Sequence, residues 1–321
     1  MNEFIKFFKD LSKNDVKIAG GKGASLGEMT RAGIPVPPGF VILAGAFEKF
    51  LQQTDINVEI EAALNKVNYK DVNSVDQASK LIRDLIHDSR FPRDLQKEIL
   101  PAYDRLSKKS RTTNFWVAVR SSATAEDSSI ASWAGELESY LNVIRDNLIG
   151  RVKDCWSSLF TQRAIVYRNE KDLRKTKVSV AVAVQKMVEA EIAGICFTTH
   201  PVTKDKNQLI IEAGWGLGEA IVGGHITPDS YVVNKKNWKI LDINVSGQEK
   251  MIVRKKSGKG NGWINVPAKL YARQKLNVKQ IIRLAQLCAK IEVHYRFPCD
   301  IEWAMEKKKF YIVQSRPITT L

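Results

Sequence analysis

No stretch of this chain approaches the ~18 consecutive apolar residues of a membrane span, although 44% of its 321 residues are hydrophobic. Its first ten residues, Met1 to Asp10, mix acidic, basic and aromatic side chains where a signal peptide needs an apolar core. Cysteine is scarce: Cys155, Cys196, Cys288 and Cys299 each sit in an apolar context, without metal-ligand spacing. Such residues read as buried free thiols of a reducing compartment. These absences predict a soluble, cytoplasmic protein. Acidic residues are outnumbered 35 to 50 by lysine and arginine, for a net charge of +15. The excess is dispersed, apart from Arg254 to Lys256 and Lys307 to Lys309. No aromatic-interleaved basic run or zinc-finger spacing accompanies it, which excludes specific nucleic-acid binding as an expected function. Neither the Gly-x-x-x-x-Gly-Lys-Ser/Thr loop nor the dinucleotide fingerprint is present, and the glycine run Gly214 to Glu219 matches neither. No internal repeat stands out.

What is present converges on the C-terminal stretch. Pro298 to Glu306 and Phe310 to Pro317 are rich in aromatic and β-branched residues and flank a polar break, a predicted β-hairpin. Strand side chains alternate faces, so Asp300, Glu302 and Ala304 share one side and Ile301, Trp303 and Met305 the other. A loop made of the three lysines Lys307 to Lys309 sets Glu302 opposite Gln314 and Asp300 opposite Arg316. A two-residue loop shifts the pairing by one and puts Gln314 on the other face. The first register gathers hard oxygen ligands beside a guanidinium, which suits Mg²⁺ carrying a polyphosphate. The alternative is an exposed strand face with solvated charges.

Earlier in the chain, Gly20, Gly21 and Gly23 surround Lys22, and Ala24 to Ala32 read as a short helix closed by Gly33. Glycines let backbone N–H groups approach an anion, and the lysine adds a point charge; a glycine turn with a solvated lysine is the plainer reading. Ala44 to about Ser107 are helical, with Leu81, Leu85 and Ile86 on one apolar face and Pro92 and Pro101 as punctuation. Phe115 to Val119 form a buried strand ending in Arg120, a guanidinium that is costly there unless it meets an anion. Ser121, Ser122 and Thr124 add neutral donors for phosphate oxygens, and Ser128 to Ala134 continue as a loop between strands. Residues 145 to 168 read as one long amphipathic helix, Val178 to Val188 as an apolar strand, Ser257 to Gly262 as a flexible tip and Val278 to Tyr295 as a helix.

Several motifs occur in one order: Gly20 to Met29, Ala118 to Asp127, Ser158 to Ala164, Val184 to Val188, Gly216 to Glu219, then Asp300 to Trp303 with Val313 to Pro317. Together they resemble the N-terminal ATP-binding domain of the phosphoenolpyruvate synthase (pyruvate, water dikinase) and pyruvate phosphate dikinase family, shared with rifampicin phosphotransferase. The resemblance covers essentially the whole chain. It implies an α+β, ATP-grasp-like fold with two subdomains, residues 1–190 and 191–321, and the nucleotide in the cleft between them. By position, Lys22, Arg120 and Arg316 would bind phosphates. Gly135 and Ser139 would lie on a phosphate-covering loop, where relatives often have threonine in place of Ser139. Gln185, Met187 and Val188 would meet the adenine, Glu302 and Gln314 would hold Mg²⁺, and Asp300 would stand behind them or face the nucleotide.

In that family the ATP β-phosphate passes to a histidine on a swivelling domain, leaving AMP and phosphate. None of His87, His200, His225 and His294 lies in the family's phosphohistidine motif, and His225 follows Gly223 and Gly224 at the wrong spacing. The resemblance therefore implies that the phosphohistidine domain and the domain binding pyruvate or another acceptor lie on another chain or in a segment removed from this one. The alternatives are a nucleotide-binding or regulatory module without turnover, and the ATP domain of a rifampicin-type phosphotransferase. A carboxylate–amine ligase on the same broad fold is disfavoured, because ligases of that kind lack the Arg120 to Asp127 run.

Overall fold

The computed structural model describes residues 3–110, 115–124, 138–173, 179–255 and 260–318. It is mixed α and β with antiparallel sheets, and it divides into two compact units: Met1–Glu28 with Pro38–Met187, and Met29–Pro37 with Val188–Leu321.

The first unit is built on strands β1 (Ile5–Phe7), β2 (Gly39–Ile42), β3 (Val117–Ala123), β4 (Ser139–Val143) and β5 (Val180–Lys186), in the order β1-β2-β5-β3-β4. Its helices are α1 (Val16–Arg31, whose last residues belong to the second unit), α2 (Ala44–Thr54), α3 (Asn57–Asn65), α4 (Val72–Asp88), α5 (Arg93–Ser110), α6 (Leu148–Ser157) and α7 (Gln162–Glu170). Alternating residues Phe40, Ile42, Val117, Val119, Val182 and Val184 meet the helices in one core. Trp156 lies at its centre, stacked on Phe91 with ring centroids 5.4 Å apart and tilted against Phe47 and Phe50. Such aromatic pairs add ~0.5–1.5 kcal/mol each beyond the area they bury.

Three helical expectations are corrected here. The apolar face of α4 is Val75, Ala78, Ile82 and Ile86, and Leu81 is exposed. Pro101 lies inside α5 and does not end it. The stretch 145 to 168 is two helices, because Thr161 is extended and its hydroxyl caps α7 by accepting from the Ala164 amide.

The second unit carries β6 (Ile192–Phe197), β7 (Gln208–Trp215), the short α8 (Glu219–Val222), β8 (Asp229–Asn234), β9 (Ile240–Asn244), a separate ribbon of β10 (Lys250–Arg254) and β11 (Asn261–Asn265), then α9 (Val278–Tyr295), β12 (Cys299–Glu306) and β13 (Lys309–Pro317). Its six-stranded sheet runs β13-β12-β6-β7-β8-β9. Helix α9 starts at a capping box, in which Asn277 and Gln280 each accept the other's amide. It buries Ile281, Leu284, Ala285, Cys288 and Ile291 and packs on β7, β8 and β12. The outer edge of β13 is met by Met29–Pro37, where the Ile312 amide donates to the Pro35 carbonyl at 2.9 Å. All four cysteines are buried free thiols, as their contexts predict. Half of the tip expected at Ser257 to Gly262 lies outside the described residues, and Asn261 already begins β11. Among the described residues no helix is long and apolar enough to cross a membrane.

A fully buried ion pair fastens this unit. Lys275 Nζ lies 2.7 Å from Asp229 Oδ1, with both side chains at 0% exposure. The same carboxylate also accepts from the Ser246 and Lys275 amides and from the Tyr231 hydroxyl. Burial, and then the bond to Asp229, hold that hydroxyl protonated well above its usual range. Asp229→Ala strips the common acceptor from all four donors. Breaking a buried pair by removing one partner costs ~3–5 kcal/mol, and urea denaturation of the variant should show a loss of that size; a loss within experimental error would refute the fastening role.

Candidate functional site

The glycine–lysine segment lies inside α1 rather than ahead of it. The helix runs from Val16 and is kinked at Gly20, whose φ of 68° and ψ of 172° suit only glycine. A Cβ there would meet the Ser122 carbonyl oxygen at 2.3 Å, so the loop backbone lies directly against β3. Lys22, half-buried, follows the kink.

β3 is buried along its whole length, and Arg120 is 9% exposed, opposite Ala183 on β5 and Ser139 on β4. The hydroxyls expected to face phosphate are committed to backbone. Ser121 Oγ donates to the Glu138 carbonyl, Ser122 Oγ to that of Ala19 and Thr124 Oγ1 to that of Ser179. Ser139 is exposed at the start of β4, while Gly135 and the loop from Ser128 to Ala134 lie outside the described residues. On β5, Gln185 is 2% exposed and its Nε2 has no hydrogen-bond partner among the described residues. A buried amide donor left this way costs roughly 1–3 kcal/mol unless something supplied from outside accepts from it. Beyond it, the Met187 amide donates to the Trp116 carbonyl and the Val188 carbonyl accepts from the Ala190 amide.

In the second unit the hairpin brings Asp300, Glu302, Gln314 and Arg316 together by a route the alternation pattern did not contain. The loop is two residues, Lys307 and Lys308, both with positive φ, and Glu306 pairs with Lys309. Taken alone, that loop would send Gln314 to the opposite face. An irregularity restores the register: Trp303 pairs with Ile312 while Glu302 pairs with Gln314, so that β13 carries one extra residue, Val313, at this point. Asp300 consequently faces Arg316, whose Nε and Nη2 lie 2.9 and 2.8 Å from Asp300 Oδ2. Asp300 Oδ1 is buried with no hydrogen-bond partner among the described residues.

The same register extends across the sheet. Glu302 lies beside Ile195 on β6, which lies beside Glu212 on β7, and Asp300 lies beside Phe197 and then Ile210. The face opposite α9 thus carries three carboxylates, an amide and a guanidinium among apolar side chains. Burial pushes the Asp300 carboxyl above its usual range, Arg316 opposes the shift, and Glu302 adds to it. Glu212 is raised by burial and then by Asp300. Sequence reasoning missed Glu212; its signal was a carboxylate closing the apolar run Leu209 to Ile211.

Two outcomes follow from this geometry. Deleting Val313 removes the bulge but leaves Gln314 directly after Ile312, still opposite Glu302, with Arg316 still opposite Asp300; a crystal structure of that variant without the Asp300–Arg316 pair would contradict the register argument. Glu212 holds its proton to higher pH folded than unfolded, so stability falls as pH rises from its ordinary 4.5 through the raised folded value. Glu212→Gln removes that fall. Its melting temperature should match the unaltered protein's near pH ~4 and exceed it at neutral pH; an equal difference at both would rule out titration as the cause.

Residues 16–321 match the family model described as the pyruvate phosphate dikinase, AMP/ATP-binding domain. The chain is 45% identical over 320 residues to the "Probable phosphoenolpyruvate synthase" of Methanocaldococcus jannaschii, covering 99% of this chain and 27% of that protein. It is 46% identical over 318 residues to the "Probable phosphoenolpyruvate synthase" of Archaeoglobus fulgidus, covering 99% and 42%. The "Phosphoenolpyruvate synthase" of Pyrococcus furiosus is 42% identical over 358 residues, covering 99% and 44%. The chain thus spans less than half the length of these relatives. With a family model matching nearly its whole length, the chain belongs to the pyruvate phosphate dikinase AMP/ATP-binding domain family.

Proposed function

We propose that this chain binds Mg·ATP and is the ATP-binding part of a dikinase-type phosphotransferase, built on an ATP-grasp-like fold with subdomains of about residues 1–190 and 191–321 and the nucleotide in the cleft between them. The observation that carries this reading is the cross-strand pairing of Glu302 with Gln314, next to Asp300 with Arg316, on one sheet face. Carboxylate and amide oxygens are a hard donor set. Among the described residues no three His, Cys, Asp or Glu side chains are grouped to hold a metal ion unaided. That fits an ion held by one or two side chains together with substrate phosphates, the usual arrangement for Mg²⁺. The buried, unpartnered Asp300 Oδ1 beside them is an acceptor for a donor brought by the ligand.

In this reading Glu302 and Gln314 hold Mg²⁺, and Lys22, Arg120 and Arg316 bind and orient the phosphates. Gly135 and Ser139 cover them. Gln185 offers its unpartnered Nε2 to the adenine. The Met187 amide and the Val188 carbonyl are already bonded, so the Met187 carbonyl and the Val188 amide are the backbone groups assigned to the adenine edge. When bound, the ion neutralises polyphosphate charge, the main requirement of phosphoryl transfer. The β-phosphoryl group would pass to a histidine on a swivelling domain and from there to an acceptor held by a third domain. The relatives' printed names support pyruvate as that acceptor. The protein is taken to act in the cytoplasm.

Lys22→Ala and Arg120→Ala should each weaken Mg·ATP binding by ~1–3 kcal/mol, the range for hydrogen bonds to charged groups. Calorimetry with the fold verified by circular dichroism measures this, and unchanged affinity removes the residue from the site. The broader test is incubation with β-labelled ATP, with and without an added phosphohistidine domain, followed by nucleotide analysis. AMP formation only with that domain supports the dikinase reading. Binding without turnover under both conditions points instead to a nucleotide-binding module, and stable acid-labile label on this chain alone places the acceptor histidine here.

A further inference from the structure

Ala19 and Gly23 are four residues apart, so an uninterrupted helix would bond the Gly23 amide directly to the Ala19 carbonyl. α1 does not. Ser122 Oγ, on β3, donates to the Ala19 carbonyl at 2.9 Å and accepts from the Gly23 amide at 3.2 Å. A foreign hydroxyl is inserted into the helix ladder, and the kink at Gly20 lies within the opened turn. Insertion of a side chain into this ladder is an established cause of sharp kinks. Ser122 is completely buried, so neither backbone group has water as a substitute partner. Lys22 lies in the opened turn, between the two bonded groups.

We propose that Ser122 is the positioning residue of this segment: its hydroxyl holds the turn from Ala19 to Gly23 open and so fixes where Lys22 is presented. The ligand of Lys22 rests on the reading given under Proposed function, whereas control of the turn by Ser122 does not. Without the hydroxyl the turn either closes by the direct Gly23-to-Ala19 bond or leaves two buried groups unpaired. Both outcomes move the backbone that carries Lys22. The arrangement also assigns the two neighbouring serines of the Arg120 motif different tasks, since Ser121 ties β3 to Glu138.

The test is a double-mutant cycle of Ser122→Ala and Lys22→Ala in the full chain, titrated with Mg·ATP by calorimetry. If Ser122 acts through Lys22, Ser122→Ala weakens binding about tenfold on its own and by less than about twofold in the Lys22→Ala background. An equal loss in both backgrounds, or no loss in either, overturns the proposal. In parallel, backbone chemical shifts of Ala19 to Gly23 are measured without nucleotide. They should leave the values of a positive-φ Gly20 in Ser122→Ala and keep them in Ser122→Thr, which retains the hydroxyl. Unchanged shifts in Ser122→Ala also overturn it. Should the unaltered chain fail to bind Mg·ATP, the functional reading fails, and the shifts still decide the role of Ser122. Should Ser122→Ala fail to fold, Ser122→Cys, with a weaker hydrogen-bonding group of similar size, undergoes the same measurements against the same criteria.

Discussion

Val313 is an extra residue between Ile312, opposite Trp303, and Gln314, opposite Glu302, and the placement of every polar side chain downstream of it depends on that register shift. Side chains along a strand have a period of two, so a single inserted residue exchanges the faces of all that follow. The turn at Lys307 and Lys308 is one residue shorter than the three-lysine loop, and Val313 returns the residue that the turn omits. Two departures from regular geometry cancel, and Glu302, Gln314, Asp300 and Arg316 lie on one face. Val313 itself packs with Tyr311 beside Val188, Ala193 and Ala304, so the extra residue is held by apolar contact and is not left loose.

Carboxylates outnumber the amide and the guanidinium on that face. Asp300 and Glu302 lie on β12 and Glu212 on β7, with Ile195 of β6 between Glu302 and Glu212, and Arg316 is bonded to Asp300 Oδ2. Burial raises Asp300 and Glu212, which means that ionising them costs more here than in water. A surface of this kind gains by acquiring positive charge, and a hydrated divalent ion carrying phosphates is one way to supply it. In the first unit, considered by itself, the candidate phosphate-binding cations are Arg120, buried on β3, and Lys22, in the opened turn of α1.

The face pattern of the hairpin was legible, because Asp300, Glu302 and Ala304 alternate with Ile301, Trp303 and Met305. Its loop length was not. Two-residue hairpin turns with positive φ at both positions are usually signalled by asparagine or glycine, and here lysines fill both. The break at Thr161 carried a readable cue, a hydroxyl residue three positions ahead of Ala164, that the continuous apolar stripe masked. Ser122 was invisible for a different reason. Its two partners lie about a hundred residues earlier, and no local pattern tells a hydroxyl aimed at a ligand from one spliced into another segment's helix. Gln185 stood in a run of β residues, and only its burial showed that its Nε2 lacks a partner among the described residues.

The contact between Pro35 and Ile312 has a consequence for how the chain acquires its structure. The residues that cover the outer edge of β13 are synthesised well before the strand they cover. Closing so large a loop precedes any gain from the contact, a feature that slows folding. Until it closes, β13 presents an unprotected edge to neighbouring nascent chains. Neither unit is a continuous stretch of sequence, so a fragment beginning at Val188 would fold without its own edge cover and be exposed to strand-to-strand aggregation.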